Sequence, residues 1–396
     1  MKLWQKNIYA DAAAATPVSG EVRRELVRLL GLFGNPGGLH AEANEAKREL
    51  DAARERTAAA IGAHADEIVF TSGGTEANNL AVFGALRRML RVGEDVHAIT
   101  SAIEHSSVLE PLRALEKEGL RLTELPVDMS GFVSHKDLRE ALEARTVFVS
   151  IQMVNSEVGT VQDIRELAKE IRHQRKAREG VGAPLYFHTD AAQAPLWLPL
   201  NVEKLGVDLL TLDAQKMLGP KGAGLLYVRR GTRLEPHICG GGQERGLRSG
   251  TENVAMAGAC ALALLRAQEA AEARAEKISR VQDYLLESIQ KLLPGVMLNG
   301  PKGEGRIANN INISLPNLNG DMAVVAMSAQ GVAISTRSAC DTDDEAPSHV
   351  LQGIGVLPER AKNTVRIALL PDATRRDARC IARTLFKVAA RYAKTP

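Results

Sequence analysis

The sequence predicts an α/β fold. A large domain is built on a mainly parallel seven-stranded sheet, and a smaller α+β domain accompanies it. Three observations predict this. Short apolar runs and helical patterns alternate through the first two thirds of the chain, as expected of a sheet with helices on both faces. A long Ala-rich helical stretch, residues 253–293, then breaks that rhythm. Beyond it the apolar runs are short and each is followed by a helical pattern. We divide the chain near residue 260, within that stretch. Residues 17–260 form the large domain, and residues 1–16 and 261–396 form the small one.

The elements follow in order. Apolar runs at residues 67–71, 95–100, 121–126, 146–153, 185–190, 207–213 and 224–228 are the seven strands. Helical spacing marks residues 39–61, 75–91, 108–118, 135–143 and 163–178 between several of them. The second part offers strands at residues 310–315, 332–335 and 364–369. A parallel sheet of this kind binds ligands beyond the carboxyl ends of its strands.

Composition narrows the function classes. A chain of 396 residues with 45% hydrophobic and 25% charged content can bury a large core. A net charge of +2 gives no electrostatic case for nucleic acid or a membrane surface. The N-terminal residues lack a signal-peptide core, and no apolar run has the length of a membrane span. The four cysteines show no CxxC pairing. No disulfide framework and no metal site is expected, and a cytoplasmic setting is the expectation.

Chemistry gathers where strands end. Residues 9–16 are extended and Ala-rich, and either line a pocket or strap the domains together. Residues 33–38 are a loop. Residues 71–79 (TSGGTEANN) run from a strand through a glycine turn into a helix. Backbone N–H groups at Gly74 and Thr75, with the Thr75 hydroxyl, suit a phosphate there. His105 opens a helix after a strand, where it can stack on an aromatic cofactor and move protons. Asn155 follows the next strand and can bond a cofactor oxygen. Asp190, within HTDAAQ, ends its strand, and Lys216 follows the strand in TLDAQKMLGPKG. Pyridoxal 5′-phosphate (PLP) needs an amine for its aldehyde and a carboxylate facing its ring nitrogen. Lys216 and Asp190, at two strand ends, supply both. Lys216 rather than Lys221 is the expected attachment point, because Lys221 lies in a turn between Pro220 and Gly222.

Taken in sequence, TSGGTEANN, EHSSV, VNSEVG, HTDAAQ, QKMLGPKG, CGGGQERGLRSGT and STRSAC resemble the cysteine desulfurases of the NifS/IscS type. These are fold-type I, class V PLP enzymes of the PLP-dependent transferase fold. The resemblance implies the following roles. Lys216 carries PLP, Asp190 meets the ring nitrogen, and Gln193 and Asn155 lie near the ring hydroxyl. His105 stacks on the ring. Thr75 binds the phosphate, joined by Thr251 from the other subunit of a homodimer. Arg366 holds the substrate carboxylate, and Cys340 accepts sulfur. L-cysteine becomes L-alanine, and the sulfur passes to an acceptor or Fe–S scaffold protein.

Cys340 also stands apart on its own terms. Cys260 and Cys380 lie in helical patterns and read as core, while Cys239 adjoins a glycine run. Cys340 lies in the polar segment STRSACDTDDEAPS, the long-loop setting that a sulfur carrier needs. Arg337 favours its thiolate, and Asp341, Asp343, Asp344 and Glu345 oppose it. Two departures from the family pattern occur. Asp213 and Gln215 replace the usual Ser and His before the lysine, and Leu369-Leu370-Pro371 replaces a polar stretch after Arg366. Gln215 can still donate to a phosphate. An ionised Asp213 repels one, so it is expected to pair with a basic side chain such as Lys221 or with backbone N–H groups. The rival readings are selenocysteine lyase, another class V PLP reaction, or a non-catalytic scaffold.

Overall fold

The computed structural model describes residues 7–93, 95–178, 184–336 and 348–392. Cys340 and its acidic neighbours lie outside the described residues. The strands, in chain order, are β1 (Ile8–Tyr9), β2 (Ile68–Thr71), β3 (His97–Ser101), β4 (Arg121–Leu125), β5 (Thr146–Ser150) and β6 (Tyr186–Asp190). They continue with β7 (Leu209–Asp213), β8 (Gly224–Val228), β9 (Met297–Leu298), β10 (Asn310–Ser314), β11 (Val332–Ala333) and β12 (Thr364–Ala368).

The seven strands expected in the large domain form one sheet in the order β2-β8-β7-β6-β5-β3-β4. Only β8 runs against its neighbours, pairing antiparallel with β2 and β7. Strands β2, β3, β5, β7 and β8 are buried along their whole length. That is why they show no regular apolar–polar alternation. A polar residue inside them needs partners on the sheet. His188 in β6 has them: Nδ1 meets Ser150 Oγ at 2.8 Å and Nε2 meets Thr211 Oγ1 at 3.1 Å. Burial pushes its pKa down to about 3, so it is a neutral structural residue.

The helical stretch over residues 253–293 is two helices, Val254–Gln268 and Ala271–Leu292, bent by 67°. No glycine or proline marks the break. Arg274 caps it instead: its guanidinium donates to the carbonyls of Ala267 (2.9 Å), Arg266 (3.1 Å) and Leu196 (2.6 Å). The carbonyls left open at the end of the first helix are thereby satisfied. The packing partner changes at this point. Val254–Gln268 lies on helices Gly20–Leu29 and Ala41–Ile61, whereas Ala271–Leu292 lies on Arg375–Tyr392. Ala271–Leu292 also packs on β10 of an antiparallel sheet, β12-β10-β9. No single described helix is long and apolar enough to cross a membrane.

The chain start reaches across both parts. β1 pairs with β11 in parallel, and Ala12 N donates to Ala368 O on β12. Thr16 N then donates to Gln215 O, next to Lys216. Cys260 is buried, and burial, aided by the charge of Asp213, pushes its thiol up to about 12. Cys239 is exposed. Cys380 is only partly buried, not core as expected. It flanks the apolar stripe formed by Ala378, Ile381, Ala382 and Leu385.

Candidate active site

A cavity of about 460 Å³ opens beyond the carboxyl ends of the central strands. Gly74, Thr75, His105, Asp190, Gln193, Gln215, Lys216 and Arg366 all line it, as does Lys221. Residues 13–15 form one wall, and their methyl side chains leave the space open. The N-terminal strap therefore both lines the pocket and joins the two parts of the chain.

Lys216 closes a short 3-10 turn after β7. Its Nζ donates to the carbonyls of Ala13 (2.9 Å) and Ala14 (2.5 Å). Gln193 Nε2 donates to the Ala13 carbonyl as well. Two residues beyond the lysine, Leu218 takes a left-handed backbone (φ 63°). A branched side chain is rarely found there, and such outliers gather at functional sites.

Asp190 is held from two directions. Ala192 N donates to Oδ1 at 2.9 Å, and Asn78 Nδ2 donates to Oδ2 at 2.8 Å. Asn78 also donates to Ser107 Oγ at 2.8 Å, which lies 2.7 Å from His105 Nδ1. Because Ser107 N–H donates to that same Nδ1, the neutral ring carries its hydrogen on Nε2. Beneath this network lies Glu104. Its Oε1 accepts from Ser101 Oγ (2.6 Å) and Gln152 N (2.8 Å), while its buried Oε2 has no partner. Burial, with a contribution from the Asp190 charge, raises its pKa to about 8 against those two donors. Burial therefore favours its protonated form.

The helix Gly74–Arg91 starts at the cavity with no side-chain cap. Its N-terminal N–H groups face a region into which Asp213 also reaches. A Cβ on Gly74 would lie 3.3 Å from Asp213 Oδ2, so glycine permits the approach. Asp213 Oδ1 accepts from Gln215 N (3.1 Å) and Oδ2 from Gln215 Nε2 (3.0 Å). The Gln215 amide is thus turned to Asp213. Lys221 lines the same cavity without bonding to Asp213.

Two expected site residues lie elsewhere. Asn155 is buried, and its amide is used by its own loop and by the loop that carries Ile103. It donates to Ile103 O (3.0 Å) and accepts from Glu157 N and Val158 N (both 2.9 Å). Thr251 lines a separate cavity of about 250 Å³, with Glu244 and Arg248. Arg248 binds Glu76 at 2.8 Å, which ties this loop to the start of helix Gly74–Arg91. Arg366 is only 1% exposed; it donates to Asp11 Oδ1 (2.8 Å) and Ser156 O (3.2 Å). Sequence reasoning assigned no role to Asp11, Asn78, Glu104, Ser107 or Gln152. Asn78, in the quoted TEANN motif, lies one helical turn after Gly74, and that spacing places it over the strand ends.

The sequence profile of the aminotransferase class-V family matches residues 8–380. The chain belongs to this family. The cysteine desulfurase IscS of Dictyoglomus turgidum is 42% identical over 378 residues, covering 94% of this chain and 92% of that protein. A solved NifS-like protein superposes with a TM-score of 0.89 at 31% identity, covering 97% of this chain and 99% of that one. The structure of SspA in complex with cysteine matches with a TM-score of 0.79 at 34% identity, over 93% of this chain and 100% of that one. The family is PLP-dependent, and the residues here fit that cofactor. One cavity brings together an amine, a carboxylate held by neutral donors, and an uncapped helix start. Two of its lining residues also carry a buried polar atom without a protein partner, Asn78 Oδ1 and Arg366 Nε.

Proposed function

We infer that this chain is a PLP-dependent cysteine desulfurase that turns L-cysteine into L-alanine and hands the sulfur to Cys340. One observation carries the reading. The Lys216 amine and the Asp190 carboxylate share a cavity with a buried guanidinium, Arg366. PLP, when bound, supplies the electron sink that makes the substrate Cα proton acidic.

The residues then divide the work. Lys216 holds the cofactor and afterwards takes the Cα proton, its amine steadied by the Ala13 and Ala14 carbonyls. Asp190 keeps a proton on the ring nitrogen. His105, whose Nδ1 is an acceptor from Ser107, offers Nε2–H to the ring face or to a leaving proton. Gly74 and Thr75 take the phosphate at the helix start. Arg366 binds the substrate carboxylate. Gln193 and Asn155 support the ring hydroxyl, with Asn155 acting through the loop that it braces. In this reading the enzyme is a homodimer, and Thr251 completes the phosphate site of the other subunit. The persulfide on Cys340 passes to an acceptor protein of Fe–S cluster assembly or thiolation.

The test is direct. The purified protein should be yellow, and borohydride should fix a pyridoxyl group on Lys216. Label on Lys221 would refute the assignment. L-alanine and sulfide should form from L-cysteine in the presence of a thiol, and Cys340→Ala should abolish both. Sustained turnover in Cys340→Ala would point to an aminotransferase or lyase reaction instead.

A further inference from the structure

Arg366 reaches the cavity from the middle of β12, almost wholly out of water. A buried guanidinium without a counter-ion is strongly disfavoured. Its counter-ion here is Asp11, from the N-terminal strap, with Nη2 to Oδ1 at 2.8 Å. Asp11 is much less enclosed: its side chain is 19% exposed against 1% for Arg366. The Asp11 backbone carbonyl is fixed by Tyr9 Oη (3.0 Å) and Ala14 N (3.1 Å), so the side chain is the part that can move. Nη1 is spent on Ser156 O at 3.2 Å, while Nε is buried without a partner.

We propose that Asp11 determines specificity by standing in for the substrate carboxylate on Arg366 in the resting enzyme and giving way to it on binding. This rests on the reading of Arg366 as the carboxylate site. A guanidinium prefers a carboxylate bound through two parallel N–H groups. Asp11 uses one, Nη2, and leaves the adjoining Nε empty. An incoming carboxylate can occupy both. If Asp11 stayed, two carboxylates would crowd one cation, and each would repel the other. Exchange keeps the charge around the buried guanidinium constant throughout turnover. It also gives the product a competitor, because the returning Asp11 expels L-alanine. Ligands without a carboxylate do not trigger the exchange.

The holoenzyme variant Asp11→Asn tests this, since the amide keeps a hydrogen bond to Arg366 and removes the competing charge. KM for L-cysteine and the inhibition constant of L-alanine should both fall, by about tenfold for the change from a charged to a neutral partner. Inhibition by cysteamine, which lacks the carboxylate, should stay put. Arg366→Gln should weaken L-alanine. If it does not, the carboxylate reading itself fails. If Arg366→Gln weakens L-alanine but Asp11→Asn leaves it unchanged or weaker, the exchange is wrong and the reading stands. Should Asp11→Asn not fold, the wild-type holoenzyme soaked with L-alanine decides. The Asp11–Arg366 contact should be lost, and its persistence beside a bound carboxylate would overturn the proposal.

Discussion

Asp190 and Asp213 end neighbouring strands and are held in nearly the same way. Each accepts from the backbone N–H two residues on, at 2.9 Å and 3.1 Å respectively. Each also accepts from a carboxamide, at 2.8 Å and 3.0 Å. They differ in where that carboxamide comes from. For Asp190 it is Asn78, on a helix distant in sequence, and Asn78 leads on to Ser107 and His105. For Asp213 it is Gln215, its own near neighbour. One carboxylate is aimed by long-range packing into the cavity. The other is tied down locally, beside a helix start that suits an anion.

The comparison breaks most visibly at Asp190. Asp190→Ala should lower kcat by about a thousandfold, because the ring nitrogen then loses the charge that keeps it protonated, a contribution on the order of 4 kcal/mol at close range. Asp213→Ala should leave kcat within about tenfold, since no reacting proton depends on it. Steady-state kinetics at saturating PLP measures both. Equal losses would show that the two carboxylates share one role.

Glu104 sharpens the contrast, because its buried carboxyl lies within electrostatic reach of Asp190. The folded pKa, about 8, lies above the ordinary 4.5. Below pH 4.5 both states are protonated and nothing is lost. As pH rises from 4.5 towards 8 the unfolded chain releases the proton first, so stability falls across that window and levels off above it. Glu104→Gln should flatten that fall by at most a few kcal/mol. Denaturant unfolding of both proteins at pH 5 and pH 8 reads the difference. Parallel slopes would mean that Glu104 is ionised in the folded state.

Asn78 is the next step down. Asn78→Ala removes one hydrogen bond to a charged group and frees Ser107, which should cost about tenfold in kcat. It should also shift the acid limb of the pH–rate profile, since the Ser107 hydroxyl beside His105 Nδ1 loses the donor that orients it. A variant with unchanged kcat and pH profile would leave Asn78 with a packing role alone.

These residues mark how far the sequence could be read. The seven strands were legible because buried parallel strands are short apolar runs between turns. Lys216, Asp190, Gly74 and Thr75 were legible because strand ends meet in one place in such sheets. The helix break at Arg274 was not, because a guanidinium from the following helix does the work of a glycine or proline. Nor was the Asp11–Arg366 pair, whose members lie at opposite ends of the chain. Asn155 illustrates the converse. Its place after a strand was readable, but the direction of its amide depends on the turn that it closes on Glu157 and Val158.

The smallest effect is expected at Asp213 itself. A bare carboxylate about 4 Å from a phosphate would cost on the order of 4 kcal/mol at an effective dielectric near 20, roughly a thousandfold in PLP affinity. Asp213 is not bare. Two N–H donors from Gln215 hold it, and it lies by the N-terminus of helix Gly74–Arg91, where the backbone dipoles favour negative charge. Those same dipoles stabilise a phosphate, so removing Asp213 frees donors more than it removes repulsion. Asp213→Ser should therefore tighten PLP by less than about tenfold. Gln215→Leu, which strips one donor from Asp213 and leaves its charge in place, should weaken PLP by more than Asp213→Ser strengthens it. Titration of the apo-protein with PLP, followed by absorbance, measures both variants. A gain near a thousandfold in Asp213→Ser would show that the carboxylate opposes the phosphate at full strength, and that the local hydrogen bonds do nothing to offset it.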